Sequence, residues 1–133
     1  MKWLRILLVL SVLLSTEKGM AQLTQTKWEG LFAIPVDTEC YLHFKSDTVY
    51  LLFKEGNRPI EAMTYKLKAD TLTLAKIDGS SPCATSDIGI YTWKIANDKL
   101  ILNLLSDDCP DRSGAFLTGE LHKVVDTAAM KKE

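Results

Sequence analysis

The chain has 133 residues, with 16 lysines and arginines against 17 aspartates and glutamates and a formal net charge of −1. The length suits one domain. The even charge balance lacks the basic footprint that nucleic acid or an anionic membrane surface requires, so neither is expected as the main partner.

Residues 1–21 read as an export signal. Lys2 and Arg5 charge the start, Ile6 to Leu14 is apolar apart from Ser11, and Gly19-Met20-Ala21 supplies the small residues of a cleavage site. The apolar run is shorter than the ~20 residues of a membrane-spanning helix. Cleavage after Ala21 is expected, and an uncleaved anchor is the alternative. No cysteine lies near position 21 to carry a lipid. Losing Lys2, Arg5, Lys18 and Glu17 takes the mature chain to a net charge of about −3. The predicted destination is the periplasm or the exterior, with no stable membrane anchor, and there disulfides are permitted.

From residue 22 the chain alternates short apolar-patterned runs with turn residues. Strands are predicted at Trp28–Ala33, Cys40–Phe44, Thr48–Lys54, Ala62–Lys68, Thr71–Lys76, Gly89–Ala96, Leu100–Leu105 and Ala115–Leu121. The sixth and seventh form the clearest hairpin, with Tyr91, Trp93 and Ile95 alternating along one arm, Leu100, Leu102 and Leu104 along the other, and an Asn97-Asp98 turn between them. No convincing period of 3.6 follows residue 22, so no crossover helices are expected. The tail from about residue 127 is polar.

Eight antiparallel strands in a meander would leave two open edges, and closing them into an up-and-down barrel removes both. The predicted fold is therefore an all-β, eight-stranded antiparallel up-and-down barrel over 22–126, with a sandwich as the alternative. The second, fourth and sixth turns are tight and the other four are longer. One end of the barrel is stitched shut and the other is a loop-bearing mouth, where binding groups usually sit. Cys83 and Cys109 flank one hairpin at that mouth, which makes them the expected disulfide; Cys40 is then a buried or rim thiol, and a bridge through Cys40 is the alternative.

With Trp28-Glu-Gly30 opening the first strand and a Gly-Ile-Tyr-Thr-Trp … Lys-Leu-Ile-Leu … Asp108-Cys109-Pro-Asp-Arg112 ending, the chain resembles the lipocalin-like (calycin) barrels, in particular small exported bacterial ones. The order here is Trp-x-Gly where lipocalins have Gly-x-Trp, and Arg112 precedes the last strand, at the mouth, where lipocalins place an arginine at the closed end. The resemblance implies transport or sequestration of a small apolar molecule.

The residues allow two readings. In the first, Phe32, Phe53, Met63, Tyr65, Tyr91, Trp93 and Leu104 contact a small hydrophobic ligand inside the barrel. In the second, the large inward set, Leu117 included, fills the barrel, and the mouth loops bind an envelope or extracellular protein. A neutral or cationic apolar ligand is expected over a fatty acid. The rim carries Asp37, Glu39, Glu55, Glu61, Asp78, Asp87, Asp107, Asp108 and Asp111 against Arg58 and Arg112, and no arginine lies within a strand. Catalysis is not expected. There is no Gly-x-Ser-x-Gly elbow near Ser80, Ser81 or Ser106, and His43 and His122 fall toward the closed end. Two histidines make a poor metal site, and the loop carboxylates lack a Ca²⁺-loop spacing, so no metal or cofactor is expected. Arg112 is expected to pair with one of those carboxylates or with loop carbonyls.

Overall fold

A computed structural model describes residues 22–116 and 119–125. The expected signal peptide, Leu117 and the polar tail lie outside the described residues. Eight strands form one closed antiparallel barrel in chain order: β1 (Lys27–Ala33), β2 (Asp37–Phe44), β3 (Thr48–Phe53), β4 (Pro59–Lys68), β5 (Thr71–Gly79), β6 (Ile88–Ala96), β7 (Lys99–Asp107) and β8 (Glu120–Lys123). β8 closes it, pairing His122 with Glu29 of β1 and Leu121 with Leu100 of β7. Gly30 makes room at this seam. A Cβ there would lie 2.5 Å from Leu121 Cδ2 and 3.2 Å from the Glu120 carbonyl.

The tight turns stitch one end. Asn97 and Asp98 both adopt positive φ (53° and 59°), as a two-residue hairpin turn matched to the strand twist requires. This closed end is also plugged by the segment before β1. Leu23 is wholly buried. The Thr26 hydroxyl donates to the Leu23 carbonyl and accepts the Trp28 indole N–H at 2.7 Å. The Tyr65 hydroxyl donates to the Lys45 carbonyl, with Thr24 Oγ1 3.2 Å away. Above the plug, alternate residues of every strand fill the interior, including Trp28, Phe44, Leu42, Val49, Leu72, Leu74 and Leu100. The lower barrel is thus a packed core, as an eight-stranded barrel's width allows.

Two sequence expectations fail at the mouth. The eighth strand is not Ala115–Leu121. A short helix, α1 (Pro110–Ala115), precedes a four-residue β8. Pro110 stands in the first turn of α1, where its fixed φ suits a helix and its missing N–H costs nothing, and Asp111 favours the same end. At under two turns, α1 is too short to show a period. Leu104 is not part of the core either. It pairs with Tyr91 but is 48% exposed, because β8 pairs with β7 only at Lys99–Ile101 among the described residues and leaves the upper part of β7 uncovered. β2, β4 and β5 are also longer than predicted, reaching Asp37, Pro59 and Gly79.

Cys40 sits inside the barrel wall and is wholly buried. Burial pushes its thiol up to about 11. A thiol-specific reagent at pH 8 is therefore expected to leave the folded protein unlabelled and to label Cys40 once denaturant is added. Rapid labelling of the native protein would contradict the burial.

Candidate functional site

The mouth is built by the loop between β1 and β2 (34–36), the loop between β5 and β6 (80–87), and the segment from Asp108 to Phe116 carrying α1. The Cys83–Cys109 disulfide ties the second of these to the third, as expected from the sequence. Both cysteines are buried, and bonds of this kind persist in oxidising compartments. No helix among the described residues is long and apolar enough to cross a membrane.

Beside the disulfide lies a buried ion pair. Arg112 reaches from α1 into the barrel and grips Asp107 with two bonds, Nε to Oδ2 and Nη2 to Oδ1, each 2.8 Å. Nη2 also donates to the Asp87 carbonyl at 3.0 Å. Asp107 further accepts the Cys109 backbone N–H at 2.8 Å and the Tyr91 hydroxyl. The side chains of Arg112 and Asp107 are 5% and 0% exposed. Burial alone would push the Asp107 carboxyl up. Hydrogen bonds from Arg112, Tyr91 and Cys109, with the charge of Arg112, outweigh it and hold the carboxyl below its usual range. Burial and the bond to Asp107 push the Tyr91 phenol far up, so it stays a donor. A β-bulge makes this possible. Tyr91 pairs with Leu104 and Ile90 with Ser106, so Leu105 is the extra residue. The bulge reverses the alternation and turns Asp107 inward. Gly89 supplies the space, since a Cβ there would lie 2.6 Å from Asp107 Oδ2 and 3.0 Å from Arg112 Nε.

The ion pair and disulfide frame a cavity of about 220 Å³. Its apolar wall is Ile34 and Pro35 from the first loop, Leu51 from β3, Ile60 and Met63 from β4, and Phe116 just after α1. Its polar wall is Glu61, Ser80, Ser81, Asp111 and Arg112. Glu61 follows the inward alternation of Met63 and Tyr65, and its side chain is 9% exposed. Its Oε1 lies 3.5 Å from Lys76 Nζ, an ion pair without a hydrogen bond, and Lys76 donates to the Ser81 carbonyl at 2.6 Å. Two buried polar atoms of cavity-lining residues have no hydrogen-bond partner: Glu61 Oε1 and Arg112 Nη1.

Of the seven contacts expected from the sequence, Met63 lines this cavity. Phe32 and Tyr91 stand against it through Phe116, whose ring meets theirs edge-on at 5.3 and 5.4 Å. Tyr65 belongs to the closed end, packed edge-on against Phe44 at 5.1 Å. Trp93 is low in the barrel too, its backbone N–H bonded to the Asp70 carbonyl in the β4–β5 turn. Phe53 is on the rim under Arg58, and Leu104 lines a separate recess with Tyr91, Phe116 and Ser113. Sequence reasoning missed Ile60, Phe116 and the inward placement of Glu61 and Arg112. Comparison of the chain with protein-family models, with curated proteins and with solved structures finds no match.

The histidines stand apart from the cavity. His43 pairs with Lys27 on β1 and His122 with Glu29. Burial, with Lys45 and Lys27 nearby, holds His43 below its usual range. Among the described residues no group of three or more His, Cys, Asp or Glu side chains gathers in a way that could hold a metal. Asp108 and Asp87 instead serve the loops, accepting the backbone N–H groups of Ile88 at 3.0 Å and Ala84 at 2.9 Å.

Proposed function

We propose that this is an exported, lipocalin-like protein that binds a small, largely apolar molecule in the mouth cavity without transforming it. The observation that carries this reading is the cavity itself. The barrel is packed below, yet about 220 Å³ stays open between Met63, Leu51, Ile60 and Phe116 under the disulfide. That volume lies above the ~150 Å³ that admits a single benzene ring and below the ~300 Å³ where drug-sized sites begin. The ligand is a compact molecule of one or two rings or a short branched chain. A long acyl chain does not fit, and the acidic rim disfavours a free carboxylate, so a neutral or cationic species is preferred. The export signal read in residues 1–21 and the buried disulfide both support a periplasmic or secreted location.

Calorimetry with ethylbenzene tests the reading. Saturable binding is expected, with a negative heat-capacity change from apolar burial. Leu51→Trp, which fills the cavity from its β3 wall, is expected to abolish that binding while the barrel stays folded. Absence of binding by the parent protein, or binding unchanged in Leu51→Trp, would refute it. Affinity for benzoate equal to that for benzyl alcohol at low salt would count against the charge preference.

A further inference from the structure

We infer that the ligand carries a neutral head that both donates and accepts hydrogen bonds, of the carboxamide, lactam or urea class, on its apolar body. This rests on the mouth cavity being a ligand site and names what that site selects. Native proteins leave few buried polar atoms without partners, and each one asks for a cause. Here two occur on residues lining one cavity, and they are of opposite kind: an acceptor, Glu61 Oε1, and a donor, Arg112 Nη1.

Both side chains are otherwise committed. Arg112 spends Nε and Nη2 on Asp107 and the Asp87 carbonyl, which leaves Nη1. Glu61 has Lys76 at 3.5 Å, and Lys76 spends a proton on the Ser81 carbonyl. Oε1 is the oxygen that faces Lys76, in an ion pair that lacks a hydrogen bond. The last torsion of a glutamate is broad, so a turn of the carboxylate brings one oxygen to the cavity face while the other stays beside Lys76. A ligand N–H to Glu61 and a ligand C=O to Arg112 satisfy both residues at once.

Charge decides between heads of similar shape. Glu61 is balanced by Lys76 and Asp107 by Arg112. A ligand bringing its own full charge would add a buried charge without a counterion, which low-dielectric surroundings penalise heavily. A neutral amide adds none. Its two bonds, each to a charged partner, are of the stronger kind.

The test uses four one-ring probes of similar size, titrated calorimetrically into the purified protein: ethylbenzene, benzamide, benzamidine and benzoate. Benzamide is expected to bind about tenfold or more tighter than ethylbenzene, the return on a hydrogen bond to a charged group, and tighter than either charged probe. In Glu61→Leu the ratio of benzamide to ethylbenzene affinity is expected to fall about tenfold, because the amide N–H loses its acceptor while the carbonyl keeps Arg112. Glu61→Gln, which keeps the shape, is expected to give an intermediate ratio and stands in if the leucine variant does not fold. Equal affinities of ethylbenzene and benzamide for the parent protein would overturn the head-group inference and leave the cavity reading intact. So would a tighter charged probe, or a ratio unmoved in the variants. Failure of all four probes to bind would overturn the cavity reading itself.

Discussion

Asp107→Ala is expected to lower folding stability by about 3–5 kcal/mol, read as a lower urea midpoint at pH 7. The carboxylate is wholly buried and holds Arg112, Tyr91 and the Cys109 backbone together. Removing it leaves a guanidinium charge without a counterion among apolar side chains, and that uncompensated charge is the main cost. Adding Arg112→Met to the variant is expected to recover much of the loss, because an apolar replacement of both partners removes the orphaned charge. No recovery would mean that the pair matters through packing instead. The pH dependence has a definite sign. Asp107 is held below its unfolded value near 3.9. Its contribution is therefore complete above about pH 4 and is lost as the pH falls through the lower folded value. The gap between parent and Asp107→Ala should accordingly be constant above pH 5 and narrow in stronger acid. A gap that widened in acid would contradict the assignment.

Replacing both Cys83 and Cys109 with serine is expected to cost roughly 3.5 kcal/mol, because the bridge closes a segment with a sequence separation of 26 residues in the unfolded chain. Thermal and urea unfolding with and without reductant would show the same difference in the parent protein. A second consequence concerns the cavity. Cys83 lines it, and the bridge holds the β5–β6 loop against the segment that brings Arg112 and Phe116. The variant should therefore lose affinity for ethylbenzene even at temperatures where the barrel remains folded. Unchanged affinity would show that the Arg112 bonds to Asp107 and Asp87 hold those segments unaided.

The barrel was legible because its information is local. Period-two alternation, turn residues and the alternation of turn lengths predicted eight strands, a stitched end and a mouth, and the hairpin at Asn97-Asp98 stands where those signals place it. The Cys83–Cys109 pairing followed from the same topology. Part of the site was also within reach. The alternation of Met63 and Tyr65 extends to Glu61, and that of Leu72 and Leu74 extends to Lys76. Ending the predicted strands at Ala62 and Lys76 hid the first and left the second unremarked.

The rest depends on events that pattern does not announce. One extra residue at Leu105 reverses the facing of everything after it and turns Asp107 inward, while strict alternation would send Ser106 there. A helix of six residues carries Arg112 and delivers Phe116 over the cavity. The seven aromatic and aliphatic contacts expected along the strands were distributed over the whole length of the barrel. The observed cavity occupies only its upper end, because the segment around Leu23 and the rings of Trp28, Phe44 and Tyr65 fill the lower one.

That plug fixes an orientation. Leu23 is sealed under the stitched turns while Gln22 beside it is exposed. A tether joined ahead of Gln22 would emerge at the pole opposite the opening. Anchored to a bead or sensor film by that point, the molecule would stand with its recess toward the bulk solution, so immobilisation chemistry and small-molecule access do not compete for the same face.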